Sequence, residues 1–174
     1  MNLFEHYKKH IDVLAESMEL IDPIKAYEFV DLLLNCKGKI FFTGVGKNGH
    51  VAAKATSTFS SIGVSCFFID PVDSVHGDMG VINEEDILIA VSKSGNTEEL
   101  IHFLKHVKYK KCKIISIHSN PGNKSLKYSS LDINLNVRKE ADHLNIVPTC
   151  SIAVFTVFLQ SVACEISQRK ELTL

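Results

Sequence analysis

The sequence predicts an α/β fold in which helices cover both faces of a five-stranded parallel sheet. Short apolar segments rich in Ile, Val and Phe alternate along the chain with segments whose apolar residues recur at helical spacing. The strand segments are almost continuously apolar, which is typical of parallel strands that are buried on both faces. Right-handed crossovers between such strands produce a three-layer αβα sandwich of the doubly wound, flavodoxin-like type.

The predicted elements follow one another in a regular order. Two helices lie within residues 3–35, and the second begins with Asp22 as its N-cap and Pro23 in its first helical position. Strands are predicted over residues 39–43, 66–69, 86–91, 113–117 and 131–137. Later helices are predicted over residues 50–62, 97–109 and 149–169, with a short helix around Ser125 and an irregular segment over residues 70–80.

Length and composition fit one soluble globular domain. A chain of 174 residues is long enough to close one sizeable core, and 45% hydrophobic with 22% charged residues is ordinary for such a domain. No internal repeat, low-complexity segment or linker is apparent. We therefore expect a single domain over residues 1–174, in which the helices of residues 1–36 pack on the αβα core.

The charge and hydropathy of the chain argue against two classes of partner, nucleic acid and membranes. The formal net charge is −1, so no overall basic field attracts nucleic acid or an anionic membrane. The N-terminus has no apolar signal core, and polar residues interrupt the longest apolar stretch, residues 152–163, which favours a buried core helix over a membrane span. The five cysteines form no CxxC pair, which favours free thiols in a reducing compartment. We expect a cytoplasmic protein that binds neither nucleic acid nor membrane.

Residues 92–99 (SKSGNTEE) form a polar segment directly after a buried strand. Hydroxyl donors, a glycine that permits close approach and the N–H groups of a starting helix suit an anion, most plausibly a phosphate. The candidate phosphate ligands are Ser92, Ser94, Gly95, Asn96 and Thr97. The alternative is an ordinary capped helix start, with Glu98 and Glu99 as carboxylates of its first turn.

Residues 44–50 (GVGKNGH) follow the first predicted strand. Gly44, Gly46 and Gly49 match the GxGxxG spacing of dinucleotide-binding turns, but no acidic residue ends the second strand as a ribose ligand would. The Gly-Lys-Ser/Thr ending of a Walker loop is also missing. A lysine inside a glycine turn at a strand end favours contact between Lys47 and a substrate oxygen or phosphate; the alternative is a solvated loop lysine.

Two further polar segments contain candidate functional residues. Residues 74–80 (SVHGDMG) include His76 and Asp78 but no matching third ligand, so a metal site is not expected. Glu140 lies near the end of the fifth predicted strand and is a candidate acid or base, with a surface carboxylate as the alternative. Pro148 favours a helix start near Thr149.

Taken together, the segments GVGKNGH, HGDMG, SKSGNTEE and KEADHLNIVPTCS resemble, in order and spacing, the motifs of the sugar isomerase (SIS) domain family and of its arabinose-5-phosphate isomerase branch. The resemblance extends from about Lys37 to the final helix. It implies a homotetramer that interconverts D-ribulose 5-phosphate and D-arabinose 5-phosphate through a cis-enediol and feeds synthesis of a Kdo-type surface sugar. Such chemistry requires an acid, a base and charge stabilisation, and neither metal nor organic cofactor.

The resemblance also implies roles for individual residues. The catalytic residues would be Lys47, His76, Glu99 and Glu140. The substrate phosphate would contact Ser92, Ser94, Gly95, Asn96, Thr97, Thr149 and Ser151. Other substrate contacts would come from Gly46, Asn48, Gly77 and Asp78.

The sequence departs from the family pattern at several places. Cys150 and Asn48 stand where the family has serine, and the sequence lacks the Ser-His-Pro-Gly-Gly segment that supplies a further active-site histidine and the paired CBS modules that often follow. Two alternatives therefore stay open: a non-catalytic domain that senses a sugar phosphate, and an isomerase of another phosphosugar. Retention of Lys47 and of both carboxylates favours the enzyme.

Overall fold

A five-stranded parallel sheet forms the centre of the molecule in a computed structural model that describes residues 2–171. The strands are Ile40–Gly44 (β1), Cys66–Phe68 (β2), Ile87–Val91 (β3), Lys113–His118 (β4) and Leu131–Asn134 (β5). Their order in the sheet is β2-β1-β3-β4-β5, and each neighbouring pair is parallel. The predicted α/β architecture is confirmed.

Five α-helices surround the sheet: Leu3–Leu20 (α1), Pro23–Leu34 (α2), Lys47–Ser60 (α3), Glu98–Val107 (α4) and Cys150–Arg169 (α5). Short 3-10 helices lie at Asp73–His76, Asp78–Val81, Lys108–Lys110 and Lys124–Lys127. The start of α2 is as predicted: the Asp22 carboxylate accepts a hydrogen bond from Ile24 N at 2.9 Å, and Pro23 occupies the first helical position.

The sheet separates two hydrophobic cores because successive strand side chains point to opposite faces. In β1, Phe42 belongs to the larger core with α1, α2, α3 and α5, where its ring centroid lies 5.2 Å from that of Phe59. Phe41 belongs to the smaller core, which α4 covers with Leu100 and Phe103. These packed layers hold the carboxyl ends of all five strands at one edge.

Helix α5 is the one helix among residues 2–171 that is long and apolar enough to cross a membrane by length and composition. Its side chains include Val154, Phe155 and Leu159, which are at most 2% exposed and belong to the larger core. This packing supports the interpretation of α5 as a core helix.

Several boundaries differ from the sequence prediction by one to three residues, and three of these differences have a visible local cause. Helix α3 begins at Lys47 and not near residue 50, because Gly46 adopts φ +58° and turns the chain directly into the helix. Strand β5 ends at Asn134, whose side chain accepts a hydrogen bond from Asn136 N, while Asn136 has φ +54° and breaks the extended conformation. Helix α4 ends at Val107, where the chain tightens into a 3-10 turn.

Candidate active site

The sheet order creates a crevice between the loops that follow β1 and β3. These strands are neighbours, with Gly44 paired to Val91, yet the chain passes through the edge strand β2 between them. Connections from β1 and β3 therefore leave toward opposite sides of the sheet, and in open α/β sheets ligands bind at such a switch point. The glycine turn (residues 44–49) and the serine loop (residues 92–97) both lie here.

The serine loop leads into a helix start that no side chain caps. Thr97 is the N-cap residue of α4, but its hydroxyl lies 3.2 Å from Ser92 Oγ and does not bind the helix backbone. Ser94 Oγ accepts a hydrogen bond from Asn96 N at 3.1 Å, and Ser92 Oγ accepts one from Gly95 N at 3.1 Å. The first N–H groups of α4 therefore remain available to an anion, at the positive end of the helix dipole.

A second loop fixes the conformation of the serine loop. In this asparagine loop (residues 119–125), Asn120 Nδ2 donates to Ser94 O at 3.1 Å and Ser125 N donates to Gly95 O at 3.1 Å. Gly95 has φ +61°, and a Cβ at this position would lie 2.2 Å from Asn123 Oδ1. Only glycine satisfies both the conformation and the close approach.

Asn96 takes part in the same contact between loops. Its Oδ1 accepts a hydrogen bond from Lys124 N at 2.8 Å. The side-chain oxygen of Asn96 thus shapes the serine loop, while its amide nitrogen stays available as a donor toward a ligand.

The glycine turn presents a second uncapped helix start at the crevice. Lys47 is the first residue of α3, its side chain is exposed, and no side chain caps the helix. Nearby, Thr43 Oγ1 and Asn48 Oδ1 are buried without a hydrogen-bond partner among the described residues. Unpaired buried polar atoms are uncommon in folded proteins and need a specific explanation, of which a ligand site is one.

The histidine segment (residues 70–81) follows β2 at the same edge of the sheet. Two 3-10 helices flank Gly77, and His76, Gly77 and Asp78 are exposed. Val75 and Met79 pack against the smaller core and the first of these 3-10 helices contacts α4. His76 therefore lies on the β2 side of the crevice. Within residues 2–171, no group of three or more His, Cys, Asp or Glu is placed to hold a metal ion.

Glu98 and Glu99, both exposed in the first turn of α4, project to different sides of the helix. Glu98 lines a groove with Lys124 of the asparagine loop. Successive helical residues are about 100° apart, so Glu99 projects away from that loop, toward the side of β1 and the histidine segment. Of the two carboxylates, Glu99 is the one turned away from the asparagine loop.

Glu140 lies just beyond β5 and is 1% exposed. Its Oε1 accepts hydrogen bonds from Lys93 Nζ at 2.5 Å and from Ser151 Oγ at 2.6 Å. Its Oε2 accepts from the backbone N–H groups of Thr149 at 2.8 Å and of Ser151 at 3.1 Å. Burial alone would raise the pKa of Glu140, but the hydrogen bonds from Lys93, Ser151 and Thr149 outweigh burial and lower the pKa to about 2.

These contacts involve three residues for which the sequence predicts a role in the site. Thr149 and Ser151, which were expected to bind phosphate, each donate a backbone N–H group to the Glu140 carboxylate. Glu140, which was expected to act as acid or base, has hydrogen-bond donors at both oxygens, and these donors lower its pKa to about 2. In this geometry the three residues form a structural cap.

A model of the SIS domain family matches residues 33–165, most of the chain. The chain belongs to the SIS domain family. It is 35% identical over 171 residues to arabinose 5-phosphate isomerase KdsD of Francisella tularensis, a match that covers 97% of this chain and 52% of that protein. The chain spans about half the length of the curated relatives it matches.

Solved SIS structures match over nearly the whole chain. The structure of E. coli CFT073 c3406 in complex with arabinose 5-phosphate is 30% identical, with a TM-score of 0.92, and the match covers 99% of this chain and 95% of that one. A crystal structure from Listeria monocytogenes is 28% identical, with a TM-score of 0.94, and covers 98% of this chain and 90% of that one. The resemblance inferred from the motifs is confirmed.

Sequence reasoning missed two contributors to this SIS domain site. The asparagine loop has a visible signal, since Asn120-Pro121-Gly122-Asn123 follows a strand end, but a turn sequence does not reveal which loop it contacts. Lys93 gives no signal of its own, because its partner Glu140 is 47 residues away along the chain.

Replacing Glu140 by Gln tests the structural cap. The folded-state pKa of about 2 lies below the ordinary value of 4.5, so the carboxylate stabilises the fold above pH 4.5 and this contribution is lost as the pH falls toward 2. We expect Glu140→Gln to lower the free energy of unfolding by about 3 kcal/mol at pH 7, and by about half as much at pH 3. Urea unfolding at both pH values measures the difference.

The exposed Glu98→Gln variant is the matched control, with an expected change within about 0.5 kcal/mol at both pH values. An equal loss of stability at pH 7 and pH 3 in Glu140→Gln would show that charge does not carry the effect.

Proposed function

We propose that this SIS domain is an aldose–ketose isomerase that interconverts D-arabinose 5-phosphate and D-ribulose 5-phosphate. The proposal depends above all on the uncapped start of α4, where three hydroxyls and free N–H groups lie at the switch point beside Lys47. The relative named arabinose 5-phosphate isomerase and the similar structure with bound arabinose 5-phosphate support this choice of phosphosugar.

The substrate phosphate binds at the serine loop in this proposal. The hydroxyls of Ser92, Ser94 and Thr97 donate to its oxygens, together with the first N–H groups of α4. Gly95 permits close approach, and the Asn96 amide nitrogen adds a donor. Because the start of α5 is already capped by Glu140, Thr149 and Ser151 support the site from behind and do not bind the phosphate.

The sugar extends from the phosphate toward the glycine turn and the histidine segment. Isomerisation moves one proton between neighbouring carbons and another between their oxygens, through a cis-enediol. The Lys47 ammonium stabilises the negative charge that develops on the substrate oxygen. Gly46, Asn48, Gly77 and Asp78 line the path of the sugar.

Glu99 is the proposed acid–base group for the carbon-bound proton. It is exposed at the start of α4, turned away from the asparagine loop, and none of the hydrogen bonds of the described residues occupies its carboxylate. His76 is the proposed carrier of the proton between the two oxygens. Glu140 keeps a structural role in this mechanism, since its oxygens are fully occupied.

We also propose that the protein assembles into a homotetramer. Five large apolar side chains on α1 are at least half exposed: Leu3, Phe4, Tyr7, Ile11 and Met18. Contiguous exposed apolar surface of this kind typically marks an interface, and a second copy of the chain on α1 would cover it. The enzyme would work in the cytoplasm, and D-arabinose 5-phosphate would feed synthesis of a Kdo-type surface sugar.

Incubation of the purified protein with D-ribulose 5-phosphate tests the activity. We expect D-arabinose 5-phosphate to appear at a rate proportional to protein concentration, and the reverse reaction to start from D-arabinose 5-phosphate. Chromatographic separation of the two sugars measures both directions. Saturable binding of the sugar phosphate without turnover would favour a sensor domain instead.

Glu99→Gln tests the proposed acid–base group, and Glu98→Gln is its matched control one residue away. We expect Glu99→Gln to lower kcat at least about 100-fold, because removal of a general acid–base group typically costs 10²–10⁴-fold. KM should change little, since phosphate binding is retained. Steady-state kinetics with both variants decide the point, and equal rates for wild type and Glu99→Gln would exclude the role.

Light scattering coupled to size exclusion tests the assembly. We expect a mass of about four chains for the wild type, and a smaller mass for the Tyr7→Glu/Ile11→Glu double variant, because charge on the apolar face of α1 opposes burial. Glu16→Lys, a charge reversal on the other side of the same helix, is the control and should keep the wild-type mass. A monomeric wild type would refute the tetramer.

A further inference from the structure

Lys93 lies inside the serine loop, but its side chain points away from the start of α4. Its neighbours Ser92 and Ser94 belong to the proposed phosphate site, and its backbone oxygen accepts a hydrogen bond from Ser119 N at 2.9 Å. Its ammonium reaches across the ends of β4 and β5 to Glu140 Oε1 at 2.5 Å, and the Lys93 side chain is 31% exposed. One lysine side chain thus joins the serine loop to the cap of α5.

The cap creates an electrostatic conflict with phosphate binding. Glu140 is 1% exposed, so water screens its charge poorly. Because one lysine side chain bridges the serine loop and Glu140, the carboxylate would act on a phosphate dianion there from a distance on the order of the screening length, about 8 Å at physiological ionic strength. Two anionic groups this close would repel each other unless one of them is neutralised.

We propose that Lys93 is a positioning residue for phosphate binding, whose ammonium neutralises Glu140 and so permits a phosphate dianion to bind beside the carboxylate that caps α5. The inference deepens the proposed function and rests on its assignment of the phosphate to the serine loop. Lys93 acts through Glu140 and makes no contact with the phosphate itself. Its effect should therefore vanish when Glu140 carries no charge.

A double-mutant cycle on Lys93 and Glu140 separates this role from direct contact. The proteins are wild type, Lys93→Met, Glu140→Gln and the double variant, with Lys93→Arg as the conservative replacement. Calorimetric titration with inorganic phosphate and with D-arabinose 5-phosphate gives the dissociation constants, and circular dichroism establishes that each variant is folded. Lys139→Met is the matched control, because it removes one exposed positive charge next to Glu140 but outside the ion pair.

We expect Lys93→Met to raise the Kd of phosphate at least about tenfold, since it exposes the ligand to an unneutralised carboxylate. The same substitution in the Glu140→Gln background should change Kd less than about threefold, because no carboxylate charge remains. Glu140→Gln alone should bind phosphate as tightly as the wild type or more tightly. Lys93→Arg should bind within about threefold and Lys139→Met within about twofold of the wild type.

Three results would overturn the inference. An equal loss of affinity from Lys93→Met with and without the Glu140 charge would mean that Lys93 contacts the phosphate directly. Wild-type affinity in Lys93→Met would mean that Glu140 does not repel the ligand. A loss in Glu140→Gln as large as in Lys93→Met would mean that the pair only maintains the local fold.

The test still gives an answer if the Lys93→Met variant does not fold, or if the wild type binds phosphate without turning over a sugar. If Lys93→Met does not fold because a buried carboxylate is left unpaired, the comparison of Glu140→Gln with the double variant still measures the effect of Lys93 without the carboxylate charge. Phosphate affinity is measured without catalysis, so a wild type that binds phosphate but does not isomerise sugars refutes the proposed function alone. A wild type that binds no phosphate refutes both.

Discussion

The first N–H groups of an α-helix must find acceptors outside the helix, and this constraint organises the carboxyl edge of the sheet. Helices α3, α4 and α5 all begin at this edge. At the start of α5, Glu140 accepts hydrogen bonds from the N–H groups of Thr149 and Ser151, whereas α3 and α4 have no side-chain cap among the described residues. The two open helix starts are those that border the switch point between β1 and β3, so the same backbone geometry that builds the fold also forms the proposed anion site.

The capped and the open helix starts also differ in the charged side chains that lie near them. At the start of α5 the Glu140 carboxylate is paired with Lys93, whereas the start of α4 has no side-chain cap among the described residues. Lys47 stands at the third helix start, α3, on the far side of the crevice. Lys93 and Lys47 therefore lie on either side of the serine loop. The molecule as a whole is not basic, since its net charge is −1.

The sequence predicts the order of elements well because each strand carries its own apolar signal and each helix its own periodicity. It also predicts which segments meet, since parallel strands bring their carboxyl ends to one edge.

The sequence does not predict that α3 starts at Lys47, because the positive φ of Gly46 is a property of one residue and not of a pattern. Nor does it predict the partners of Glu140: Lys93, Thr149 and Ser151 approach it only after the sheet order and the course of two loops are set. A carboxylate at a strand end has the same appearance in sequence whether it is catalytic or buried in a cap.

The contact between the serine loop and the asparagine loop has a thermodynamic consequence. Asn120, Lys124 and Ser125 hold the loop by hydrogen bonds to Ser94, Asn96 and Gly95, and Asn123 packs against Gly95 where no side chain would fit. The conformational entropy of these residues is therefore lost when the protein folds and not when a ligand arrives. A small, strongly hydrated dianion offers few contacts with which to order a mobile loop, and a cradle that is rigid beforehand lets nearly all of those contacts contribute to affinity.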